Sequence, residues 1–128
     1  MKYLVLLGRI FYTAIFFMAI PEDFTSKSAA YAASHGVPLA PLAVPVAGMI
    51  SFLGALSILV GFKARYGAWL IVIFLVPVTV MLHNFWAITD PAAAQMQEIN
   101  FMKNLSMLGA ALLIAHFGPG PLSLDQRG

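Results

Sequence analysis

The sequence predicts an all-α fold: an integral membrane four-helix bundle with both termini in the cytoplasm. Three observations carry that expectation. Hydrophobic residues make up 61% of the 128, and only 9% are charged, with a mean hydropathy of +0.89. A soluble domain carries about 25% charged residues, and this chain has too few to cover so apolar a core. Apolar runs of bilayer-crossing length recur at about 3–20, 41–60, 66–86 and 99–117. The charges, finally, are sorted by side. With four spans, Lys2, Lys63, Arg65 and Arg127 fall on one side with Asp125, and Lys27 falls on the other with Glu22, Asp23, Asp90 and Glu98. The positive-inside rule then places both termini and the turn at Gly61–Arg65 in the cytoplasm.

The first run, Tyr3 to Ile20, is interrupted by Arg9 and stopped by Pro21-Glu22-Asp23. A signal peptide would also start with a basic residue, here Lys2. The charge inside the apolar region and the lack of a nearby small-x-small cleavage site favour a retained helix. The stretch from Glu22 to Ala40 reads as a loop, with a short interfacial helix around Ser28 to Ser34 built on Ala-Ala-Tyr-Ala-Ala. The second run, Pro41 to Val60, carries no charge. It places Ala47, Ser51 and Ala55 on one helix face, the small residues by which helices approach closely in lipid. GFKAR makes a tight basic turn. The third run, Tyr66 to Trp86, contains Pro77, which removes a backbone donor and is expected to kink the helix. A loop with Asp90, Pro91 and Glu98 leads to the fourth, Ile99 to Phe117, which ends at Gly118-Pro119-Gly120-Pro121, a firm stop. The whole chain reads as one domain.

Composition excludes several classes. A net charge of +2 is too small and too scattered for a nucleic-acid partner. With no cysteine, the chain forms no disulfide and carries no thiol redox centre, and it cannot hold an iron–sulfur cluster alone. His83 and His116 fall at opposite membrane faces, so they cannot share a haem. No metal site is expected.

The chemistry-bearing side chains gather in His83–Asn104, HNFWAITDPAAAQMQEINFMKN. Asn100, Lys103, Asn104 and Met107 follow i, i+3, i+4, i+7 spacing and share a helix face. Thr79, His83 and Trp86 share a face of the preceding helix. If the two faces meet, His83, Asn84, Trp86, Asn100, Lys103 and Asn104 form an outer pocket for an anionic or quinone-like headgroup. The lysine and the amides would donate to its oxygens, and the indole would supply a flat wall. Against this stands the ordinary role of interfacial Trp and His as anchors. Arg9 lies about 9 Å into the first span, with no carboxylate inside any span to meet it. Snorkelling to headgroups is its simplest fate. Bonds to backbone carbonyls, or to the acid of a ligand or partner, are the alternatives.

The series LGRIFYTAIFF, GALSILVGFKARYGAWL, HNFW, NFMKNLSMLGAALLIAHFGPG and SLD resembles the DoxX family of small four-helix membrane proteins over nearly the whole chain. The resemblance implies a bacterial inner-membrane protein loosely associated with oxidoreductase systems, some members being subunits of quinone-reducing enzymes. Many relatives carry a glutamate at the position matched by Ser51 here, so Arg9 would lack the acid partner the resemblance implies. Arg9 and Ser51 are therefore candidate contacts for a partner or lipid.

Three functions follow as expectations. The first is a membrane subunit of a quinone-linked oxidoreductase, with quinone as the cofactor, Lys103 stabilising charge on its oxygen and His83 relaying a proton. The second is a non-catalytic accessory subunit packed into a larger membrane complex. The third, a small transporter, is disfavoured by the lack of a charged path through the bilayer centre. The expected partners are the lipid bilayer and a membrane protein or further copies of the chain. The residues leave open whether the chain has any turnover of its own.

Overall fold

The computed structural model describes residues 2–126, without the side chains of Lys2, Glu22, Asp23 and Gln126. The side chains of Lys2, Glu22 and Asp23, and the whole of Arg127, therefore contribute to the charge tally from outside what is described. What is described is all-helical: α1 (Lys2–Asp23), α2 (Ser26–Ser34), α3 (Ala40–Val60), α4 (Ala64–Leu82) and α5 (Pro91–Phe117), with short 3-10 turns at Phe85–Ala87 and Leu124–Gln126.

The helix boundaries follow from local chemistry. Thr25 caps α2, its hydroxyl accepting from the Ser28 amide, and Pro41 fills the first turn of α3, where the missing N–H is not needed. Asp90 caps α5 in the same way, accepting from the Ala93 amide at 3.0 Å, with Pro91 immediately after it. That cap starts α5 eight residues before the apolar run. The polar stretch read as a loop up to Glu98 is thus helical from Pro91, and α5 is about 40 Å long at 1.5 Å per residue.

Three helical stretches, Tyr3–Pro21, Ala40–Val60 and Ala64–Ala87, are long and apolar enough to cross a bilayer. The long helices pack in chain order, α1 on α3, α3 on α4 and α4 on α5. The core is a narrow seam of Phe16, Ala55, Ile58, Ala68, Ile71, Leu75 and Ala111, while large apolar side chains such as Phe11, Met18, Leu42, Ile73 and Leu113 face outward. A soluble protein hides such residues; facing hydrocarbon, they need no cover. The Tyr12 hydroxyl donates to the Met107 carbonyl at 2.7 Å and ties α1 to α5. Helix α2 packs on the start of α3 and closes an apolar crevice of about 150 Å³ whose lining includes Ala32, Val37, Val44, Pro77 and Met81. Helix α4 runs unbroken through Pro77.

The α3–α4 contact is set by two glycines. A Cβ on Gly54 would stand 2.8 Å from the Gly67 carbonyl oxygen, and one on Gly67 would stand 2.5 Å from the Ser57 hydroxyl oxygen. Small residues let the backbones meet, as the small-residue face of the second run led us to expect. Gly67→Ala is therefore expected to lower stability in detergent by about 1–3 kcal/mol through overpacking. Gly8→Ala, inside α1 where the added methyl meets nothing within 4 Å, is expected not to lower the melting temperature and to raise it slightly, alanine being the better helix former. Thermal unfolding of the two purified variants checks this.

Candidate functional site

Polar groups concentrate at the two ends of the helices. At the end where α3 turns into α4, the segment after α5 folds back across the turn. Gly61 ends α3 with φ 73°, a conformation that suits glycine. It also has no room for a side chain, because a Cβ would lie 2.1 Å from the Ser123 Cβ. Lys63 follows in the left-handed region at φ 50°, a costly state for a residue with a Cβ. It is held there from both sides. The Asp125 carboxylate accepts from the Lys63 amide at 2.8 Å and the Ala64 amide at 3.0 Å, capping α4. The Ser57 hydroxyl points at the carbonyls of Phe62 and Lys63, and the Asp125 amide donates to the Gly61 carbonyl at 2.7 Å.

Arg9 reaches this knot from α1. It is only 4% exposed, so it does not snorkel; the expectation that lipid headgroups hold it is corrected. Its Nη2 donates to the Leu122 carbonyl and, at 3.4 Å, to that of Pro121. Leu122 is itself left-handed at φ 57°, so the guanidinium holds a second strained residue in place. Arg9 Nε and Nη1 find no hydrogen-bond partner among the described residues. Thr13 is fully buried one turn on and donates to the Arg9 carbonyl at 2.7 Å. Ser51 is buried too, but its hydroxyl returns to its own helix, donating to the Gly48 carbonyl at 2.8 Å. Lys63, Arg65 and Tyr66 stay exposed around the outside of the knot.

At the opposite end, His83 is half-buried, with Nδ1 2.7 Å from the Gln97 Oε1. An Nδ1–H donating to that amide oxygen makes His83 a tie between α4 and α5. Gln97 was not among the expected site residues; its place in α5 shows only once the helix is seen to begin at Pro91. Asn84 is half-buried and precedes the 3-10 turn without capping it by its side chain. Phe85, Trp86 and Phe101 pack edge to face, at centroid distances of 5.3, 5.5 and 5.8 Å. Trp86 remains 59% exposed, which suits an interfacial anchor. Asn100 and Asn104 are half-buried on α5, but Lys103 is exposed. It lines a shallow furrow with Gln95, Glu98, Ile99, Met102 and Ser106, on a face that neither His83 nor Trp86 lines.

Taken together, these features define a helical integral membrane protein in which Arg9, Tyr12, His83 and Asp125 tie its own segments to one another. A comparison of sequences then gives the family: the model of the SURF4 family matches residues 40–128, and the chain belongs to that family. It is 39% identical over 97 residues to the inner membrane protein YphA of Escherichia coli (strain K12), covering 76% of this chain and 69% of that protein. It is 31% identical over 124 residues to the inner membrane protein YqjF of the same organism, covering 95% of this chain and 89% of that protein. To the Surfeit locus protein 4 homolog of Schizosaccharomyces pombe it is 25% identical over 80 residues, 62% of this chain but only 26% of that protein. No solved structure matches. The protein is thus a small integral membrane protein of the SURF4 family, similar to YphA.

This corrects the DoxX resemblance. Several segments that suggested it do general structural work: Gly54 and Gly67 at a helix crossing, a glycine-capped basic turn, and aromatics at a helix end. Any tightly packed set of short membrane helices needs such residues, so they do not discriminate between families.

Arg9→Leu is expected to lower stability by about 1.5–3 kcal/mol, the range for hydrogen bonds to a charged group. Arg9→Lys should recover less than half of that, because an ammonium does not present the planar fork. Asp125→Ala should cost about 1–2 kcal/mol as the loss of a helix cap. Denaturation of the three variants in one detergent checks the order.

Proposed function

We propose that this chain is a non-catalytic accessory module of the bacterial inner membrane, acting by association with other membrane polypeptides. In this reading α5 is the fourth span, so that α1, α3, α4 and α5 all cross. The turn at Gly61–Arg65 faces the cytoplasm, and the loop at Asn84–Asp90 faces outward. One observation carries the reading: four of the groups able to do chemistry are committed to the fold. Arg9 holds carbonyls, Asp125 caps α4, His83 ties to Gln97, and Tyr12 bridges to Met107. Among the features that face outward is the furrow on α5, a surface for a neighbour rather than a cavity for a substrate. The inner-membrane location is supported by the likeness to YphA and YqjF.

A quinone-linked role drew its support from the DoxX likeness and from a meeting of His83 with Lys103. Neither supports it now, since Lys103 lines a different face.

Purification from native membranes in mild detergent tests the reading. It predicts stoichiometric co-purification with a membrane polypeptide, a second copy included, and no stoichiometric redox cofactor. Bound quinone at one per chain, or turnover by the isolated protein, would overturn it. The orientation has its own test, because the chain lacks cysteine. Thr89→Cys should react with an impermeant maleimide in intact cells, and Lys63→Cys only after permeabilisation. The reverse pattern would invert the topology.

A further inference from the structure

The outward face of α5 has a seven-residue pattern that the packing of the chain does not use. Gln95, Met102, Gly109 and His116 are spaced by seven, as are Ile99, Ser106 and Leu113, and all seven are exposed. A seven-residue repeat on a helix makes one seam, with the two sets at its d and a positions. The flanks of the seam carry opposite charges: Glu98 stands at the g position and Lys103 at the following e position. Both are exposed, and neither has an ion-pair partner among the described residues. A Cβ on Gly109 would meet nothing within 4 Å, so no contact inside the chain requires glycine there. The Ser106 hydroxyl returns to the Lys103 carbonyl at 2.7 Å, which leaves its face small.

We infer that α5 is the interface of a parallel homodimer, two copies of this chain meeting along the seam from Gln95 to His116. This rests on the association reading and names its partner. The choice of a second copy comes from charge and symmetry. Two copies inserted the same way in a membrane present α5 to each other in parallel about a two-fold axis along the membrane normal. In a parallel seam, a g residue lies opposite the e residue five positions further on in the other helix, and such pairs set partner and register. Glu98 and Lys103 are five apart, so each copy offers its acid to the other's base, twice over. Within one helix the same spacing turns the two apart. Depth also fits. Side chains on a helix lean toward its N-terminus, which for Lys103 is toward Glu98 and the membrane surface, so the ammonium reaches its partner along its snorkelling direction. Deeper in the seam, Ser106 and Gly109 let the backbones close, and Met102 fits an irregular gap.

The test uses the natural absence of cysteine. Single cysteines are placed at each position from Gln95 to Gly109 in the full-length protein and oxidised in native membranes. Disulfide-linked dimers are expected at 95, 99, 102, 106 and 109 and not at 97, 101, 104 and 108, a period of 3.5. In lipid nanodiscs, Glu98→Lys or Lys103→Glu alone should weaken the dimer about tenfold by setting like charges opposite. The double variant, Glu98→Lys with Lys103→Glu, should restore it; rescue by the swap separates pairing from loss of folding. Cross-links at the same positions to a different polypeptide would overturn the homodimer and leave the association reading standing. A monomer with no periodic cross-linking to anything would overturn both.

Discussion

A guanidinium placed inside a lipid-facing helix assembly must find acceptors within its own reach, because hydrocarbon offers none. Arg9 finds them in the Pro121 and Leu122 carbonyls, and much of the turn end follows from that choice. The segment after α5 is drawn onto the α3–α4 turn. Asp125 arrives beside the start of α4, and the left-handed residues Lys63 and Leu122 are held by contacts from other parts of the chain. The acid of that segment is engaged by backbone amides, so the charge of Arg9 is met by carbonyl dipoles rather than by a carboxylate. Gly61 has no alternative, since any side chain there would occupy the space of Ser123 and the guanidinium.

The opposite end is organised on a weaker principle. One imidazole–amide contact and three edge-to-face rings hold the connection between α4 and α5. Helix α5 runs about 10 Å past the end of α4, taking 1.5 Å per residue from the level at which His83 meets Gln97. Its outward side keeps a charged pair and a row of small and flexible residues away from the core. A helix that only had to fill lipid-facing space would not need them. Rigid ties at one end and an unsatisfied surface at the other are what a module that works by association would be expected to have.

Three of the four apolar runs were legible in the sequence because each has the length a bilayer demands and few charges interrupt it. The small residues of the second run were legible as packing positions for the same reason that Gly54 sits against Gly67. The start of α5 was misread although Asp90-Pro91 is a helix-opening pair, because the polar residues after it look like loop once a membrane span is assumed to be apolar throughout. The facing of Lys103 was not legible: apolar residues lie on all sides of α5, so periodicity does not say which face is inside. Backbone carbonyls stood among the alternatives for Arg9, but the particular partner was out of reach for another reason. It lies 112 and 113 positions away and consists of backbone carbonyls, which leave no trace in residue identity. The family was misassigned because the motifs that suggested it follow from helix packing in lipid, and packing is common to many families.

Hydrogen–deuterium exchange in lipid nanodiscs, comparing the natural chain with Arg9→Leu, tests the central claim most directly. The amides of Lys63, Ala64 and Asp125 are bonded between the α3–α4 turn and the segment after α5. The account predicts that they are protected in the natural chain and exchange freely in the variant, while the amides around Ile71 in the core of α4 keep their protection in both. Equal protection of the three in both proteins, or none in either, would show that Arg9 does not hold the segment and would contradict the account.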